Sequence, residues 1–473
     1  MRPFSRRDFL RNASIVTIGF AGLRHITGCA TTGDESVEME LKSDPRKLFD
    51  LPEGFSYQAI SRQGERMDDG LFVPGKQDGM AAFAGPDGKT ILVRNHELEP
   101  GDKDVGPFGK KNELIEYPDQ HRFYDFGRGE KPCLGGTSTL LYNTSERRLE
   151  RHFLSLAGTS RNCAGGATPW GSWITCEETV DDPDDQLEKE HGYNFEVPAN
   201  ATELVKAVPL IEMGRFRHEA IAVDPRTGIV YETEDRPNGL LYRYLPHQKG
   251  RMIAGGRLQA LRIKGQKSTD TRNWYGSRRI EVGQTLDVEW VEVSDFDPAE
   301  DELRVYGYFV HSCARFARAE GMWYGREAIY FACTTGGEAR KGQIWRYFPS
   351  RFEGTSEENN APGRLELFVE PNDNSIVENA DNLTVAPWGD LFVCEDQEGK
   401  TTPGQYLLGV TPSGHVYKFG KNALNDSELA GVCFSPDGST LFVNIFSPGV
   451  TLAITGPWEK AIKDVSRKSL ELA

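Results

Sequence analysis

The sequence predicts an all-β protein, a six-bladed β-propeller with loop and short-helix insertions over one face. Three observations lead to this fold class. One outline recurs six times: two short apolar runs joined by a tight turn, with acidic residues closing most of the copies. Further strand-like segments lie between the copies, and 50 Gly and 26 Pro are scattered along 473 residues, which favours many turns over long helices. Six hairpins that each begin a sheet, arranged radially, account for the repeats.

The N-terminal segment is typical of a targeting sequence. Residues 5–10 read SRRDFL and resemble a twin-arginine export signal, and the apolar stretch 15–23 is too short to span a bilayer. The sequence ITGC, ending at Cys29, resembles a lipobox, with cleavage without lipidation as the alternative. We therefore expect a signal peptide over residues 1–28, a flexible tether over 29–45 and one propeller domain over 46–473. The predicted location is the periplasm, free or as a membrane-anchored lipoprotein.

The repeats follow in order after the tether. In the first copy, MAAFAGPDGKTILVRNHE, a Pro-Asp-Gly turn separates two apolar runs, which is a hairpin signal. The six copies span Met80–Glu97, Cys163–Glu178, Glu219–Asp235, Glu320–Thr335, Asp381–Asp396 and Glu428–Asn444. Further strands are predicted at Thr137–Tyr142, Leu240–Leu245, Gln343–Phe348, Leu365–Glu370 and His415–Phe419. Two segments, Pro100–Lys131 and Thr179–Ala207, are interpreted as insertions. A β-sandwich or two unrelated β domains are the alternatives.

Charge and cysteine content narrow the possible partners. The formal net charge of −16 argues against nucleic acid, whose phosphates need a basic surface. The charge indicates either a solubilising surface or carboxylates gathered to hold cations. Four cysteines lie in apolar strand-like runs and are predicted to be buried free thiols: Cys176, Cys333, Cys394 and Cys433. Cys163 differs because it lies on a Gly-rich turn, in the segment NCAGGATPWGSWITCEE.

The repeats align a set of metal-type ligands. Four copies place such a residue six positions before the turn residue: Cys163, Glu219, Glu320 and Asp381. In a propeller the first strand of each blade lines the central channel, so we expect these side chains to converge on one axis. The first and last copies depart from the spacing, because Asp78 and Glu428 fall two residues earlier.

A second layer of acids closes the hairpins. Its members are Glu97, Glu177, Glu178, Glu234, Asp235, Glu395 and Asp396. So many carboxylates around one axis would repel one another unless cations were bound, although any single strand-terminal acid is often only solvated. Hard oxygen ligands suit Ca²⁺ or Mg²⁺. The thiolate of Cys163 among them indicates a transition metal, iron or zinc, beside the calcium.

The motifs together resemble a known family. NHE ending at Glu97, NCAGGATPWGSWITCEE, RFRHE ending at Glu219, RAE ending at Glu320 and ADNLTVAPWGDLFVCED resemble the PhoX family of exported bacterial alkaline phosphatases. The resemblance implies a six-bladed propeller that hydrolyses phosphate esters at a mixed cluster of Fe³⁺ and Ca²⁺. By that resemblance the catalytic residues would be Cys163 as cluster thiolate, Glu219 and Glu320 as iron-binding carboxylates, and Arg318 on the substrate phosphate. The candidate calcium ligands would be Glu97, Glu177, Glu178, Asp381 and Asp396.

The hypothesis is metal-assisted hydrolysis, because no Ser, Thr or Asp stands out as a covalent nucleophile. Two other functions remain open: a calcium-dependent, lactonase-like propeller hydrolase, and a non-catalytic binding protein in which calcium stabilises the blades. The lactonase-like function would leave Cys163 and Arg318 without a task. The expected partner is a small-molecule phosphate ester. We expect a monomer that binds no nucleic acid and contacts a membrane only through a lipid on Cys29.

Overall fold

The computed structural model describes residues 39–472, except 104, 117–118, 130, 276–278, 374 and 397–403. The predicted signal peptide and most of the predicted tether, including Cys29, lie outside the described residues. Strands dominate this part of the chain, together with helices α1 (Leu303–Phe309) and α2 (Trp458–Leu472) and short 3₁₀ turns. Within the described part, neither helix has both the length and the apolar character needed to cross a membrane.

The strands are numbered in chain order. They are β1 (Leu41–Lys42), β2 (Phe49–Pro52), β3 (Ser56–Arg62), β4 (Gln77–Ala84), β5 (Thr90–His96), β6 (Gly135–Asn143), β7 (Arg148–Thr159), β8 (Asn162–Ala167), β9 (Ser172–Glu177), β10 (Asn194–Pro198), β11 (His218–Val223), β12 (Val230–Glu234), β13 (Leu241–Pro246), β14 (Gly256–Ile263), β15 (Thr285–Val293), β16 (Ala319–Gly325), β17 (Ala328–Cys333), β18 (Gln343–Phe348), β19 (Arg364–Val369), β20 (Ala380–Val385), β21 (Leu391–Glu395), β22 (Tyr406–Val410), β23 (Val416–Asn422), β24 (Leu429–Phe434), β25 (Thr440–Ile445) and β26 (Val450–Thr455).

The described strands form five antiparallel sheets in a propeller-like arrangement. Their strand orders are β4-β5-β6-β7, β10-β9-β8, β11-β12-β13-β14-β15-β19-β18-β17-β16, β1-β2-β23-β22-β21-β20 and β24-β25-β26-β3. In the last sheet β3 pairs with β26, which ties the beginning of the domain to its end. The all-β prediction is confirmed, as are all six predicted hairpins and the five further strands.

The hydrogen bonding differs from the expected six separate sheets at one place. Strand β15 pairs with β19 over Thr285–Asp287 and Arg364–Glu366, and this contact joins two repeat units into the nine-stranded sheet. The hairpin β14–β15 that makes the contact lies in the stretch between residues 247 and 300, where the sequence shows no repeat motif. The β15–β19 contact is therefore a non-local pairing between the outer strands of two repeat units.

The first strand of each predicted hairpin borders a narrow cavity on a common axis. All six of these strands line it, with Gly79, Met80, Ala164, Gly165, Ala220, Gly321, Met322, Trp323, Asn382, Leu383, Gly431 and Val432, and Trp173 of β9 completes the lining. The strands approach one another closely here. A Cβ atom at Gly79 would lie 2.6 Å from the Cα atom of Ala164, and one at Gly321 would lie 2.6 Å from the Cα atom of Asn382. Only glycine fits at these two crossings.

The core lies between neighbouring sheets and contains the cysteines. In the described part of the chain, seven cysteines are free and buried: Cys133, Cys163, Cys176, Cys313, Cys333, Cys394 and Cys433. The prediction that the four strand cysteines are buried free thiols is confirmed.

Candidate metal centre

Each of the six inner strands begins with a β-bulge. The pairing ladder skips two residues between Gln77 and Met80 in β4, and the same irregularity recurs in β8, β11, β16, β20 and β24. The first skipped residues are, in chain order, Asp78, Cys163, Glu219, Glu320, Asp381 and Gly431. A bulge releases a residue from the ladder and redirects its side chain. Five of the six bulges thereby carry a potential metal ligand.

The redirected side chains meet in two overlapping groups. Ligand atoms of Cys163, Glu178 and Glu219 lie within 4.8 Å of one another, and so do those of Glu219, Glu320 and Asp381. All five side chains are buried, and Glu219 belongs to both groups. We call these five residues the channel cluster. The convergence predicted from the repeat spacing is therefore found in the structure.

The bulges add Asp78 to the aligned ligands. The count back from the turn proline had placed Asp78 two residues away from the ligand position. Beyond its bulge β4 runs from Met80 to Ala84, two residues more than β8, which runs from Gly165 to Ala167. The longer hairpin shifts the turn, not the bulge. Burial raises the pKa of Asp78, and the charges of Glu97, Glu428 and Asp381 raise it further. One feature of the sequence indicates the correct position of Asp78: a glycine follows the acid in both Asp78-Gly79 and Glu320-Gly321.

The second acid layer divides in two. Glu177 accepts hydrogen bonds from the backbone N–H groups of Ser160 (2.9 Å), Gly192 (2.8 Å) and Tyr193 (3.2 Å), so it anchors two loops. Its neighbour Glu178 belongs to the channel cluster. Successive strand residues point to opposite faces, so only one acid of a pair can face the axis. The structure thus places Glu177, expected as a calcium ligand, apart from the other candidates.

The same division recurs in two further pairs. Glu395 accepts hydrogen bonds from the backbone N–H groups of Glu378 (2.9 Å) and Tyr406 (3.0 Å). Burial raises the pKa of Asp381, and the charge of Asp396 raises it further. Likewise, Glu234 accepts from the N–H of Leu240 at 2.9 Å. Burial raises the pKa of both Glu178 and Glu320, and the charge of Asp235, the neighbour of Glu234, raises both further. Asp235 and Asp396 therefore lie beside the channel cluster.

Two arginines hold the rim of the cluster. Arg318 donates from Nε and Nη2 to the two carboxylate oxygens of Asp235, at 2.9 and 3.0 Å, and from Nη2 to Glu320 at 2.9 Å. Arg161 contacts Glu178 and lies 2.9 Å from a carboxylate oxygen of Glu97. Arg318 is thus at the cluster, as predicted, and it is clamped by two carboxylates.

The rim residues share an unusual backbone. The residue two positions before the bulge ligand has a left-handed φ in four strands: Lys76 (45°), Arg161 (50°), Arg318 (50°) and Asn379 (60°). This conformation is unfavourable for residues other than glycine, by roughly 1 kcal/mol or more. In all four strands the strained residue lies the same two positions before the ligand. The left-handed conformation is therefore part of how the chain enters these bulges.

Burial and crowding raise the pKa of every acid in the channel cluster. Loss of hydration is the main cause throughout. The pKa of Asp381 rises to about 7 and that of Glu178 to about 8, with Asp396 and Asp235 as the respective repelling neighbours. The pKa of Glu97 also rises to about 7. Bound cations would remove the repulsion, so the donor set fits metal ions: oxygens for calcium, and a thiolate for a transition metal.

Comparisons with known proteins show what the chain is similar to. A family model described as alkaline phosphatase PhoX matches residues 38–121 and 135–449. Among solved structures, PhoX of Pseudomonas fluorescens in complex with vanadate is similar with a TM-score of 0.64 and 16% identity, over 90% of this chain and 98% of that chain. A gluconolactonase of Xanthomonas campestris gives a TM-score of 0.39 and 10% identity, over 85% and 98% of the two chains. No curated protein sequence matches significantly.

Proposed function

The chain belongs to the alkaline phosphatase PhoX family and is a phosphoric ester hydrolase, and from this premise we propose that it cleaves small phosphate esters at a mixed iron and calcium cluster in the channel. The observation that carries the proposal is the buried convergence of Cys163, Glu219, Glu320 and Asp381 on one axis. The vanadate bound by the Pseudomonas fluorescens relative, a transition state analogue, supports a site for phosphoryl oxygens.

The cluster residues divide by donor type. Cys163, Glu219 and Glu320 would hold the iron, since the thiolate is the softest donor present. The calcium ligands would come from the surrounding carboxylates: Asp78, Glu97, Glu178, Asp381 and Asp396. When bound, the metals supply Lewis-acid stabilisation of the phosphoryl oxygens and lower the pKa of a water molecule.

The rim residues bind and orient the substrate. Asp235 and Glu320 hold the Arg318 guanidinium in one orientation before substrate arrives, so its charge is placed without later rearrangement. Arg161 and Lys76 occupy the corresponding place two residues before the ligands Cys163 and Asp78. Arg318 would donate hydrogen bonds to the phosphate of the ester.

The proposal extends to architecture and location. We count six blades, taking the nine-stranded sheet as two blades whose inner strands are β11 and β16, because six inner strands border the axial cavity. We place the catalytic domain at residues 46–473, after a signal peptide and tether. Export by the twin-arginine route and lipidation of Cys29 belong to the same proposal. Replacing Arg6 and Arg7 by Lys is expected to abolish export, and undiminished export would contradict that route.

Hydrolysis of a chromogenic phosphate monoester tests the enzymatic proposal. The exported protein is expected to hydrolyse the ester, to lose activity with a chelator, and to contain both iron and calcium. Cys163→Ala should lose iron and activity together. Cys433→Ala is the matched control, because Cys433 is equally buried but packs in an apolar cluster with Met80 and Phe442. Full activity and full iron content in Cys163→Ala would overturn the cluster assignment, and calcium without iron would favour a different propeller hydrolase.

A further inference from the structure

A second group of metal-type side chains lies outside the channel cluster. Asp125, Cys133 and His191 are fully buried, and one ligand atom of each lies within 4.8 Å of the others. Asp125 and Cys133 belong to the insertion between β5 and β6, and His191 belongs to the insertion between β9 and β10. The group therefore joins two insertions that have no strand pairing with each other within the described residues.

The spacing of the three ligand atoms suits a small metal ion. His191 Nε2 lies 3.4 Å from Asp125 Oδ2 and 3.8 Å from Cys133 Sγ. With bonds of about 2.0–2.3 Å, the ligand atoms of a tetrahedral zinc site lie roughly 3.3–3.8 Å apart. A charge-assisted hydrogen bond would instead be about 2.7–2.9 Å long. Both separations from His191 Nε2 thus match those between the ligands of a tetrahedral zinc site, and both exceed the length of a charge-assisted hydrogen bond.

The other ring nitrogen of His191 is held differently. Its Nδ1 lies 2.7 Å from Oε1 of Glu177, the length of a strong hydrogen bond. A metal-binding histidine usually donates its second N–H to a carboxylate in this way, which leaves Nε2 as the ligand atom. Glu177 is itself fixed by three backbone N–H groups, so it positions the ring.

Asp125 is also held in place before any ion is bound. It accepts hydrogen bonds from the backbone N–H groups of Gly127 (2.7 Å), Glu188 (2.7 Å) and Lys189 (2.9 Å). These contacts orient the carboxylate and connect the two insertions through the backbone. Asp125 and His191 are therefore both held by hydrogen bonds to other groups of the protein, as expected around a metal site.

We propose that Cys133, His191 and Asp125 bind a divalent zinc-class ion, with Glu177 as the positioning residue of His191. The ion is structural, and it clamps the insertion after β5 to the insertion after β9. The donor set of one thiolate, one imidazole and one carboxylate favours zinc over calcium. The site does not depend on the channel cluster and shares no ligand with it.

Wild-type protein produced in zinc-supplemented medium gives the direct test. Anomalous diffraction at the zinc edge is expected to show a peak between Cys133 Sγ and His191 Nε2. Cys133→Ala and His191→Asn should each lose about one zinc ion per chain while iron and calcium remain. They should also unfold at a temperature lower by several degrees. Cys433→Ala is the matched control and should keep the zinc.

The two metal sites are separated by a second variant. Cys163→Ala should keep the zinc even if it loses iron, so failure of the phosphatase proposal leaves this test intact. The absence of an anomalous peak in the wild-type crystal, together with equal zinc content in wild type and Cys133→Ala, would overturn the proposal. In that case His191 is an imidazolium paired with Glu177 and Asp125.

Discussion

Glu177 and Glu178 are neighbours at the end of one hairpin and have opposite surroundings. Glu177 is fully buried and receives three backbone hydrogen bonds. Glu178 faces Cys163 and Glu219, and burial and the charge of Asp235 raise its pKa to about 8. The strand register separates them, because consecutive side chains point to opposite faces. Glu177 holds the backbone of two loops against the hairpin, whereas Glu178 is available to bind a cation.

A second pair of neighbouring acids at the axis shows the same contrast. Glu395 anchors loop backbone as Glu177 does, and Asp396 faces Asp381 as Glu178 faces Glu219. Satisfied carboxylates stabilise the fold, whereas crowded ones destabilise it until a metal binds. We therefore expect substitutions in the two sets to separate activity from stability.

The largest effect is expected at the centre of the crowded set. Glu219→Gln should reduce kcat/KM for a phosphate monoester by about 10³-fold, because Glu219 is shared by both groups of ligands. The melting temperature of the chelated protein should not fall, since the substitution removes a repelling charge. Steady-state kinetics and metal analysis check both points. Activity within threefold of the wild type would contradict the central position of this carboxylate.

The anchoring set should behave in the opposite way. Glu395→Ala leaves the buried N–H groups of Glu378 and Tyr406 without their acceptor, and we expect a loss of about 2–4 kcal/mol in the free energy of unfolding. Hydrolysis per folded molecule should be preserved. Denaturant titration and active-site-normalised rates measure the two quantities. Asp396→Asn is the matched control, and it should lower activity while leaving stability unchanged; a reversed pattern would remove the distinction between the acids.

A smaller effect is expected at the edge of the channel cluster. Glu178→Gln should raise the calcium concentration needed for half-maximal activity by about 10-fold, because it removes one charged oxygen donor. Glu99→Gln provides the control, since Glu99 contacts the same Arg161 at 2.7 Å but is half exposed. Calcium titration of the chelated enzyme checks the pair. An equal shift in both variants would show that Glu178 acts by holding Arg161 and not by binding the cation.

The sequence predicted the features that repeat and missed those that depend on register or on non-local contacts. Six copies of one hairpin were enough to predict the inner strands and the convergence of Cys163, Glu219, Glu320 and Asp381. The count from the turn misplaced Asp78, because hairpin length varies while the bulge position does not.

Three other features had no local signal in the sequence. Glu177 and Glu178 look equivalent in the sequence, since the face each takes depends on the phase of the strand. The pairing of β15 with β19 joins segments far apart in the chain, and neither segment carries a repeat motif. Cys133 and His191 are 58 residues apart in two insertions, so nothing in their spacing pointed to a shared site.

The smallest effect should be visible in the pH dependence of the metal-free protein. The pKa of Asp381 is about 7 in the folded chain against an ordinary value of 3.8, so between these values the folded state binds more protons than the unfolded state. Stability of the chelated protein should therefore fall as the pH rises from about 5 to about 8, and Asp381→Asn should flatten that slope. Melting temperatures across this range, with and without calcium at the upper end, measure it. Calcium should restore the stability lost at high pH in the wild type more than in the variant. Parallel curves of melting temperature against pH for chelated wild type and Asp381→Asn would contradict this prediction. They would show that the repulsion between the carboxylates at the axis is relieved in solution without a cation. The contrast between anchoring and channel-facing acids would then rest on activity alone.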